Sequence, residues 1–297
     1  MKKRLLAAIG GLTLLLASTV PAAAITYGQP DAGEHPYVGF MLFFDATEPG
    51  WFSCSGTLLD DDTFLTAGHC AFNIGTDGTA AGSSGGNDVW VTFEEQVDLT
   101  GFPKRADYPD EASLYAARAA FLDADVDFVR GTSFPHPSYD NFADFPANHD
   151  IGVVELDTAQ DVGGIGVLAP LGTLDALTGT GKDHNKVLIE NAGYGVQEVH
   201  PKPLSVDERW KSTATVVNIG SALTDGWNLH TSNNPSATGG SGGTCFGDSG
   251  GPVFLDNTNV LVAVTSFGNN NNCKGADYSA RVDIADSQDF ILLFVGD

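Results

Sequence analysis

Residues Thr244 to Pro252 read Thr-Cys-Phe-Gly-Asp-Ser-Gly-Gly-Pro, which places one serine, Ser249, among glycines. Glycines tolerate the backbone angles of a tight turn, so the serine hydroxyl can be held exposed at its tip. Backbone N–H groups in the same turn can point towards an incoming carbonyl oxygen. The segment therefore predicts a nucleophilic serine, whose partners must come from elsewhere in the chain.

The order of the candidate partners along the chain excludes two arrangements of a serine nucleophile. The glycine spacing around Ser249 also fits the turn of α/β-hydrolases, but in those proteins the histidine follows the serine, and the last histidine here is His230. The subtilisin order needs an earlier aspartate on its own strand, and residues Asp60 to Asp62 lie too close to His69 for that. The order that remains is His69, then Asp150, then Ser249.

Three motifs in this order resemble the chymotrypsin-like (trypsin-like) serine peptidase family, in its secreted bacterial type. The motifs are Leu65-Thr66-Ala67-Gly68-His69-Cys70, His149-Asp150-Ile151-Gly152-Val153-Val154-Glu155-Leu156 and the serine segment above. The resemblance extends from Ile25 to near the C-terminus. It implies an all-β fold of two packed six-stranded antiparallel barrels (chymotrypsin-like) with a short C-terminal helix, and an active site in the cleft between the barrels.

The same resemblance divides the chain into three parts. Residues 1–24 are expected to be a signal peptide, residues 25–165 an N-terminal β-barrel, and residues 166–297 a C-terminal β-barrel with the helix. His69 and Asp150 fall in the first barrel and Ser249 falls in the second. The three side chains are therefore expected to meet across the cleft.

The resemblance also implies a role for each residue of the catalytic centre. Ser249 is the expected nucleophile, His69 takes its proton as general base, and Asp150 orients the imidazole. The backbone N–H groups of Gly247 and Ser249 form the expected oxyanion hole. Ser266 is expected to donate a hydrogen bond to Asp150.

The resemblance further implies a set of substrate-binding residues around a specificity pocket. They are Gly243, Ser266, Phe267, Gly268 and Asp277. Gly243 stands at the floor, where an acidic residue would select Arg and Lys, and Gly268 leaves the entrance open. Asp277 is expected on the opposite wall, although a shift of one residue would put Ala276 there. An inward Asp277 would admit basic as well as large apolar side chains, whereas a solvent-facing Asp277 would favour apolar ones.

Short runs rich in β-branched and aromatic residues predict strands along most of the chain. The runs are Tyr37–Phe44, Val89–Phe93, Ile151–Leu156, Lys186–Ile189, Thr213–Ile219, Val253–Leu255 and Leu261–Phe267. The segment from Asp286 or Ser287 to Phe294 predicts the C-terminal helix. Long loops with insertions are expected between Ala71 and Asp144, and the acidic residues there leave a calcium-binding loop as an alternative.

The first residues have the pattern of a secretory signal peptide. Residues 2–4 are Lys, Lys and Arg, an apolar run follows from Leu5 to Leu16, and small residues end at Ala24. The apolar run is about a dozen residues long, short of the roughly 20 that span a bilayer as a helix, so a secreted protein without a membrane partner is expected. Cleavage after Ala24 would start the mature chain at Ile25.

This new N-terminus resembles the mature start of the family. The resemblance implies that the α-amino group of Ile25 pairs with the buried carboxylate of Asp248. Signal peptidase alone would then complete activation. The alternatives are cleavage a residue or two away and later trimming of a few residues.

The net charge limits the possible partners of the protein, and the cysteine content indicates its redox environment. The chain has 14 Lys+Arg against 38 Asp+Glu, a formal net charge of −24, which argues against binding to nucleic acid. Cys54, Cys70, Cys245 and Cys273 fit two disulfides of an oxidising compartment, with three pairings open on sequence alone. The resemblance implies the pairs Cys54–Cys70 and Cys245–Cys273. No metal and no cofactor is expected.

These expectations combine into a secreted serine endopeptidase, a monomer that hydrolyses protein or peptide substrates through an acyl-enzyme intermediate. Two alternatives stay open on the sequence alone. One is a noncatalytic binding protein on the same scaffold, because a fold does not guarantee an activity. The other is an esterase with little peptidase activity.

Overall fold

The computed structural model describes residues 24–82, 85–178, 187–199, 204–205, 207–234 and 242–296. Residues 1–23 of the expected signal peptide lie outside this part of the chain. Most of the regular structure consists of strands: β1 (Gln29–Pro30), β2 (Val38–Asp45), β3 (Gly50–Leu58), β4 (Thr63–Thr66), β5 (Gly75–Thr76), β6 (Thr79–Ala80), β7 (Val89–Thr92), β8 (Val129–Pro135), β9 (Gly152–Leu156), β10 (Val167–Leu168), β11 (Leu188–Gly193), β12 (Trp210–Asn218), β13 (Asn228–Ser232), β14 (Pro252–Leu255), β15 (Val260–Gly268) and β16 (Asp277–Arg281). The short turn α1 (Ala24–Tyr27) has non-helical backbone angles at Ile25 and Thr26. The helices are α2 (Gly68–Ala71), α3 (Glu111–Ala124), α4 (Thr173–Thr178) and α5 (Ala285–Ile291), and Arg105–Asp107 forms a 3-10 turn.

The first barrel is a closed sheet with the strand order β2-β3-β4-β9-β8-β7, in which β7 pairs again with β2. Apolar side chains fill its interior because almost every residue of β2, β4 and β7 is buried. Phe64 and Trp90 are fully buried in this core. Strand β3 can pass close to Phe64 because residue 56 is glycine, where a Cβ would lie 2.4 Å from the Phe64 ring.

The second barrel has the strand order β12-β11-β14-β15-β16-β13, and the pairing of β12 with β13 closes it. Every neighbouring pair in this ring is antiparallel. Branched apolar residues such as Ile189, Val216, Leu229 and Val262 form its core. The expected fold of two packed six-stranded antiparallel barrels is therefore confirmed.

The strands of four or more residues that the sequence patterns miss contain several polar residues. The seven predicted runs overlap β2, β7, β9, β11, β12, β14 and β15, although Lys186 lies outside the described residues. The patterns do not predict β3, β4, β8, β13 and β16. Strand β16 reads Asp-Tyr-Ser-Ala-Arg, yet all its residues are buried. Arg281, for example, bonds to Asp283 two residues further on and to Asp175, 106 positions away, and the distant partner leaves no local periodicity.

The region between Ala71 and Asp144, for which the sequence predicts long loops around the Val89–Phe93 strand, also contains the 14-residue helix α3. Asp110 caps this helix, since its side chain accepts a hydrogen bond from the N–H of Ser113 at 2.8 Å. Asp123, in its last turn, accepts a hydrogen bond from the indole N–H of Trp90 at 2.7 Å. Two of the acidic residues in this region, Asp110 and Asp123, thus form hydrogen bonds at the two ends of helix α3.

The C-terminal helix α5 forms where the sequence predicts it and packs against the first barrel. Phe290 contacts His136 edge to face, with ring centroids 5.0 Å apart, and Phe294 lies 5.1 Å from Phe134. The hydroxyl of Thr63 donates to the carbonyl of Phe294 at 3.2 Å. None of the helices in the described part of the chain is both long and apolar enough to traverse a membrane.

Both expected disulfides are present. Cys54 in β3 is bonded to Cys70 in α2, and Cys245 is bonded to Cys273. The first bridge joins the strand pair β3 and β4 to the turn that carries His69. The second joins the serine segment to the loop that precedes β16.

A buried cluster of charged side chains links the segment after β1 to the second barrel. His35 Nδ1 lies 2.5 Å from Asp31 Oδ1, and its Nε2 lies 3.2 Å from Glu190 Oε1. Arg209 donates to Asp31 at 3.0 Å, and Lys211 Nζ lies 3.3 Å from Glu190 Oε2. Burial opposes a charge on His35, but hydrogen bonds to both carboxylates outweigh it and raise the pKa of His35 to about 9.

We expect this histidine to make the protein less stable at alkaline pH. Since the pKa of His35 is raised from 6.5 to about 9, its stabilising contribution is fully present below the unfolded value and is lost as pH rises through the folded one. The free energy of unfolding, measured in urea, should therefore fall more steeply between about pH 7 and about pH 9.5 in the wild type than in His35→Gln. Parallel slopes in the two proteins would contradict this assignment.

Candidate active site

His69 and Asp150 lie together because their elements are neighbours in the first barrel. His69 stands in α2, directly after β4, and Asp150 directly precedes β9, and these two strands pair with Thr66 opposite Gly152. His69 Nδ1 lies 2.9 Å from Asp150 Oδ2. The backbone N–H of His69 donates to Asp150 Oδ1 at 2.7 Å. The carboxylate thus fixes both the ring and the backbone of the histidine.

The protonation of this pair follows from burial and mutual attraction. Burial by itself would raise the pKa of Asp150, but the charge and hydrogen bonds of His69 and a hydrogen bond from Ser266 outweigh it and lower that pKa. Burial would likewise lower the pKa of His69, and the Asp150 carboxylate outweighs it and raises that pKa. Ser266 Oγ donates to Asp150 Oδ2 at 2.5 Å, as the resemblance implies. An ionised Asp150 keeps the proton of a neutral imidazole on Nδ1 and leaves Nε2 as the basic nitrogen.

Ser249 lies in a glycine turn that packs directly against β4. Gly247 and Gly250 adopt φ angles of +97° and +77°, which favour glycine. A Cβ on Gly250 would lie 2.0 Å from Thr66 Oγ1, so the turn can approach the end of β4 only without a side chain there. His69 and Ser249 line the same cavity. No direct hydrogen bond joins their side chains, both of which belong to the described residues; such contacts often tighten only when a substrate binds.

The two backbone N–H groups expected to form an oxyanion hole are those of Gly247 and Ser249. Within the described residues neither N–H donates to a protein acceptor. Ser55, which the sequence motifs do not identify, fixes this turn by two hydrogen bonds. Its Oγ donates to the carbonyl of Gly247 at 2.9 Å, and its N–H donates to the carbonyl of Ser249 at 2.8 Å. The turn can therefore present two free donors to an anion.

Asp248 is buried beneath this turn. Its carboxylate accepts hydrogen bonds from the N–H groups of Gly195 and Cys245, both at 2.8 Å. Burial without a cationic partner raises the pKa of Asp248 to about 7. A positive group brought to this carboxylate would restore its charge.

The expected mature N-terminus lies beside the same part of the second barrel. Ile25 is fully buried against Trp210. The carbonyl of Thr26 accepts from the N–H of Gly243 at 3.2 Å, and its hydroxyl donates to the carbonyl of Cys273 at 3.2 Å. In the full-length chain Ile25 is in peptide linkage with Ala24, and the described residues contain no ion pair between Ile25 and Asp248.

One cavity of about 240 Å³ contains the expected specificity residues. Its lining includes Thr244, Cys245, Phe246, Ser249, Thr265, Ser266, Phe267, Gly268, Cys273, Ala276 and Asp277. Gly243 lies next to it, since a Cβ on Gly243 would be 2.5 Å from Asp277 Oδ2. Gly268, which is exposed, belongs to the lining of this cavity.

Asp277 faces inward and not to solvent, with only 4% of its surface exposed. Its carboxylate accepts from the N–H of Thr244 at 2.7 Å and from the side-chain amide of Asn233 at 2.9 Å. No cation bonds to it within the described residues, and burial raises the pKa of Asp277 to about 6. Ala276, the other position that the sequence left open, also lines the cavity.

A second cavity, of about 560 Å³, shares Phe246 and Ser249 with the first and contains His69. Four of its other nine lining residues are aromatic, namely Phe43, Trp51, Phe52 and Phe72. The sequence motifs do not predict this cavity, because its aromatic residues come from four separate segments. Only their convergence in the fold brings them together.

The segment before Asp150 is held by contacts that the sequence motifs do not predict. His149 has a φ of +45°, and the N–H of Ile151 donates to its carbonyl at 2.7 Å, so Asp150 is the middle residue of a tight turn. The ring of His149 lies 2.7 Å from Asp286 Oδ2 and packs 4.6 Å from Trp227. The C-terminal helix α5 thus supports the loop that carries Asp150.

Comparisons with known proteins agree with this architecture. The family model described as Trypsin matches residues 122–291, more than half of the chain. Serine protease 1 and Serine protease 2 of Drosophila melanogaster are each 26% identical to it over 255 residues, which is 84% of this chain and 77% of each relative. A solved structure of HL collagenase is 18% identical, with a TM-score of 0.62, over 92% of this chain and 99% of that chain. The last likeness shows the shared fold.

Proposed function

Since the chain belongs to the trypsin family, we propose that it is a secreted serine endopeptidase that hydrolyses peptide bonds through an acyl-enzyme on Ser249. One observation carries this proposal: an imidazole held by a buried carboxylate lines the same cavity as a serine in a glycine turn. A peptidase of this family acts on proteins or peptides. We propose that this reaction uses no cofactor, because side chains alone can carry out its proton transfers.

In the proposed mechanism Ser249 Oγ attacks the peptide carbonyl while His69 Nε2 takes its proton. The cation formed on His69 is stabilised by Asp150, whose Oδ2 also accepts a hydrogen bond from Ser266. The developing oxyanion accepts hydrogen bonds from the N–H groups of Gly247 and Ser249. His69 then gives its proton to the leaving amine, and water reverses the sequence to release the acyl group.

We further propose that the free α-amino group of Ile25 activates the enzyme by pairing with Asp248. The burial of Ile25 and the bonds of Thr26 to Gly243 and Cys273 support this, because they hold the segment beside the serine turn. A cation near Asp248 would remove the penalty of its buried charge. The Gly247 turn would then be fixed through its neighbour Asp248.

We expect active, secreted protein to begin at Ile25. N-terminal sequencing of the secreted protein, with activity measured on the same sample, checks this expectation. Active protein with any other first residue would contradict activation by signal peptidase alone. Addition of one alanine before Ile25 in the mature form should lower kcat, because the amine would then be misplaced.

Specificity is proposed to be broad, with basic and large apolar side chains admitted before the scissile bond. The inward carboxylate of Asp277 supports a basic preference, and the apolar walls around Phe246 and Phe267 support an apolar one. Gly243 contributes no charge of its own. The stacking of Phe267 on Tyr278, with ring centroids 4.8 Å apart, gives one wall a fixed position.

We expect the preference for basic side chains to grow with pH. Because the pKa of Asp277 is raised to about 6, its carboxyl is neutral below that value and negatively charged above it. The ratio of kcat/KM for arginyl over phenylalanyl amides should therefore rise between about pH 5 and about pH 7.5. In Asp277→Asn this ratio should not change with pH. The titration of His69 does not alter the ratio, because it changes kcat/KM for both substrates equally. Inactivity on arginyl amides at every pH would contradict a role for Asp277.

Three further expectations from the sequence remain proposals. We propose residues 25–165 and 166–297 as the limits of the two barrels, which agrees with strands β2 to β9 and β11 to β16 falling on either side. We also propose that the protein is of the secreted bacterial type of the family and that it is a monomer. Size-exclusion chromatography of the mature protein tests the last of these.

Assays of matched ester and peptide substrates separate the proposed function from its alternatives. An endopeptidase cleaves internal bonds of an unfolded protein substrate as well as esters. Cleavage of esters alone would favour an esterase. Binding of peptides without cleavage of either substrate would favour a noncatalytic binding protein.

A further inference from the structure

The carboxylate that charges the proposed specificity pocket is held by a residue that does not itself line the pocket. Asn233, the residue directly after β13, is fully buried and is absent from the lining of this cavity. We infer that Asn233 is a positioning residue for substrate selection, whose buried amide orients the Asp277 carboxylate and favours the charged form that receives a basic side chain. This inference rests on the proposed function, since it assumes that a substrate side chain enters this pocket.

Both oxygens of the Asp277 carboxylate accept a hydrogen bond from a fixed N–H donor. Asn233 Nδ2 donates to Oδ1 at 2.9 Å, and the backbone N–H of Thr244 donates to Oδ2 at 2.7 Å. The two donors belong to separate segments, so together they fix the rotation of the carboxylate. Hydrogen bonds to a charged group stabilise its charged form. The Thr244 donor is a backbone group, so Asn233 is the partner that a substitution can remove.

The other end of the Asn233 amide shows which of its atoms stabilises the pocket. A carboxylate oxygen only accepts hydrogen bonds, so the amide nitrogen faces Asp277. Asn233 Oδ1 is buried and has no hydrogen-bond partner within the described residues. An unpaired buried oxygen costs free energy, which a leucine of similar size would avoid. The bond from Nδ2 to the carboxylate is the interaction that offsets this cost.

Asn233 also fills the space that a side chain at the floor of the pocket would need. A Cβ on Gly243 would lie 1.8 Å from the Cβ of Asn233 and 2.5 Å from Asp277 Oδ2. Gly243 does not have a positive φ, so these contacts, and not a special backbone angle, exclude a larger residue there. Asn233 and an acidic floor residue therefore exclude each other, and the negative charge of the pocket comes from its wall.

Asp248 is the charged group of the serine segment that acts on Asp277. The two carboxylates repel each other, and the charge of Asp277 contributes to the raised pKa of Asp248. The proposed pairing of Asp248 with the α-amino group of Ile25 would weaken this repulsion in the mature enzyme. Variants that differ only at residue 233 share this contribution, so it does not alter their comparison.

Two basic side chains near Asp277 are engaged with aromatic rings. Lys274 Nζ lies 5.8 Å from the centroid of the Tyr27 ring, and His230 stacks on Tyr278 with ring centroids 4.8 Å apart. Burial lowers the pKa of His230, so its ring is neutral at neutral pH. Within the described ranges neither side chain bonds to Asp277, so hydrogen-bond donors alone oppose the effect of burial on its carboxyl.

Asn233→Leu removes the donor and keeps nearly the same side-chain shape. Mature protein is assayed on arginyl and phenylalanyl amides between about pH 5 and about pH 9, and the midpoint of the kcat/KM ratio is determined. Loss of the donor favours the neutral carboxyl, so we expect the midpoint to lie about 1 to 2 pH units higher than in the wild type. At pH 7 the arginyl preference should therefore fall several-fold. Asn233→Ala, which adds no bulk, should shift the midpoint in the same direction.

Asn191→Leu is the matched control, because Asn191 is also a buried asparagine of the second barrel but lines neither cavity. It should keep the wild-type midpoint. In an Asp277→Asn background, Asn233→Leu should leave the ratio unchanged, because the carboxyl on which it acts is gone. An effect of the same size in that background would overturn the inference.

NMR titration of the Asp277 carboxyl carbon in Ser249→Ala protein separates the inference from the proposed function, because it needs no substrate. The signal is assigned by its loss in Asp277→Asn, and the same upward shift is expected when Asn233 is replaced by leucine. An unchanged titration would overturn the inference and leave the proposed function intact. Correctly processed protein that cleaves neither amide would overturn the proposed function, and the titration would still decide whether Asn233 controls the charge of Asp277.

Discussion

Ser249→Ala is expected to lower kcat for a peptide amide by about 10⁶, because no other group can form the acyl-enzyme. The remaining activity would come from the free N–H groups of the serine turn and from substrate binding, so KM should change little. The measurement is amide hydrolysis with the mature protein, at enzyme concentrations high enough to follow a slow residual rate. His69→Ala should give a loss of similar size, since the two side chains act as a unit.

Ser138→Ala is the matched control for this loss. Ser138 is exposed, and its change should leave both kcat and thermal stability near wild type. A Ser249→Ala protein that keeps more than about one hundredth of the wild-type kcat would contradict nucleophilic catalysis by this serine.

Asp150→Asn is expected to lower kcat by about 10⁴ at neutral pH. The amide has nearly the shape of the carboxylate but carries no charge, and its NH₂ group can turn the His69 ring towards the wrong tautomer. It also removes the attraction that raises the pKa of His69. Because His69 must be neutral to act as a base, the acid limb of the kcat/KM profile should move to lower pH in the variant.

The pH profile distinguishes this role from a merely structural one. A destabilised loop would lower activity without moving the acid limb. Asp127→Asn, at an exposed carboxylate, is the control and should keep the wild-type rate and profile. An Asp150→Asn protein with wild-type kcat would contradict the proposed orientation of His69.

The candidate catalytic residues could be predicted from the sequence because their signals are local and ordered, and the family resemblance that these motifs carry implied the two barrels. The glycine turn around Ser249 and the motif around His69 each consist of adjacent residues with a specific backbone requirement. Apolar strands such as β2 and β15 can also be predicted from their composition. The order of three motifs along the chain then sufficed to select among hydrolase arrangements.

The features that the sequence does not predict depend on contacts between distant segments. Strand β16 buries Asp277 and Arg281 by pairing them with Asn233 and Asp175, so it lacks the alternation typical of a strand. The support of His149 by Asp286 joins residues 137 positions apart. Such pairings exist only once the fold has formed.

Helix α3 is a different case, because its sequence carries a signal. Residues Glu111 to Ala124 contain six alanines and two leucines, and Asp110 precedes them as a good N-cap. The sequence analysis predicted an acidic loop because it considered only the charged residues at the ends of this segment. The segment forms a helix because its residues have high helix propensity, and because Asp110 caps it and Asp123 bonds it to Trp90.

Labelling with a fluorophosphonate, followed by peptide mass spectrometry, tests the central claim most directly. Mature wild-type protein should be modified at Ser249 alone, and Ser249→Ala should not be modified. Modification of a different serine, or none in protein that begins at Ile25, would contradict the claim that His69, Asp150 and Ser249 form one reactive centre.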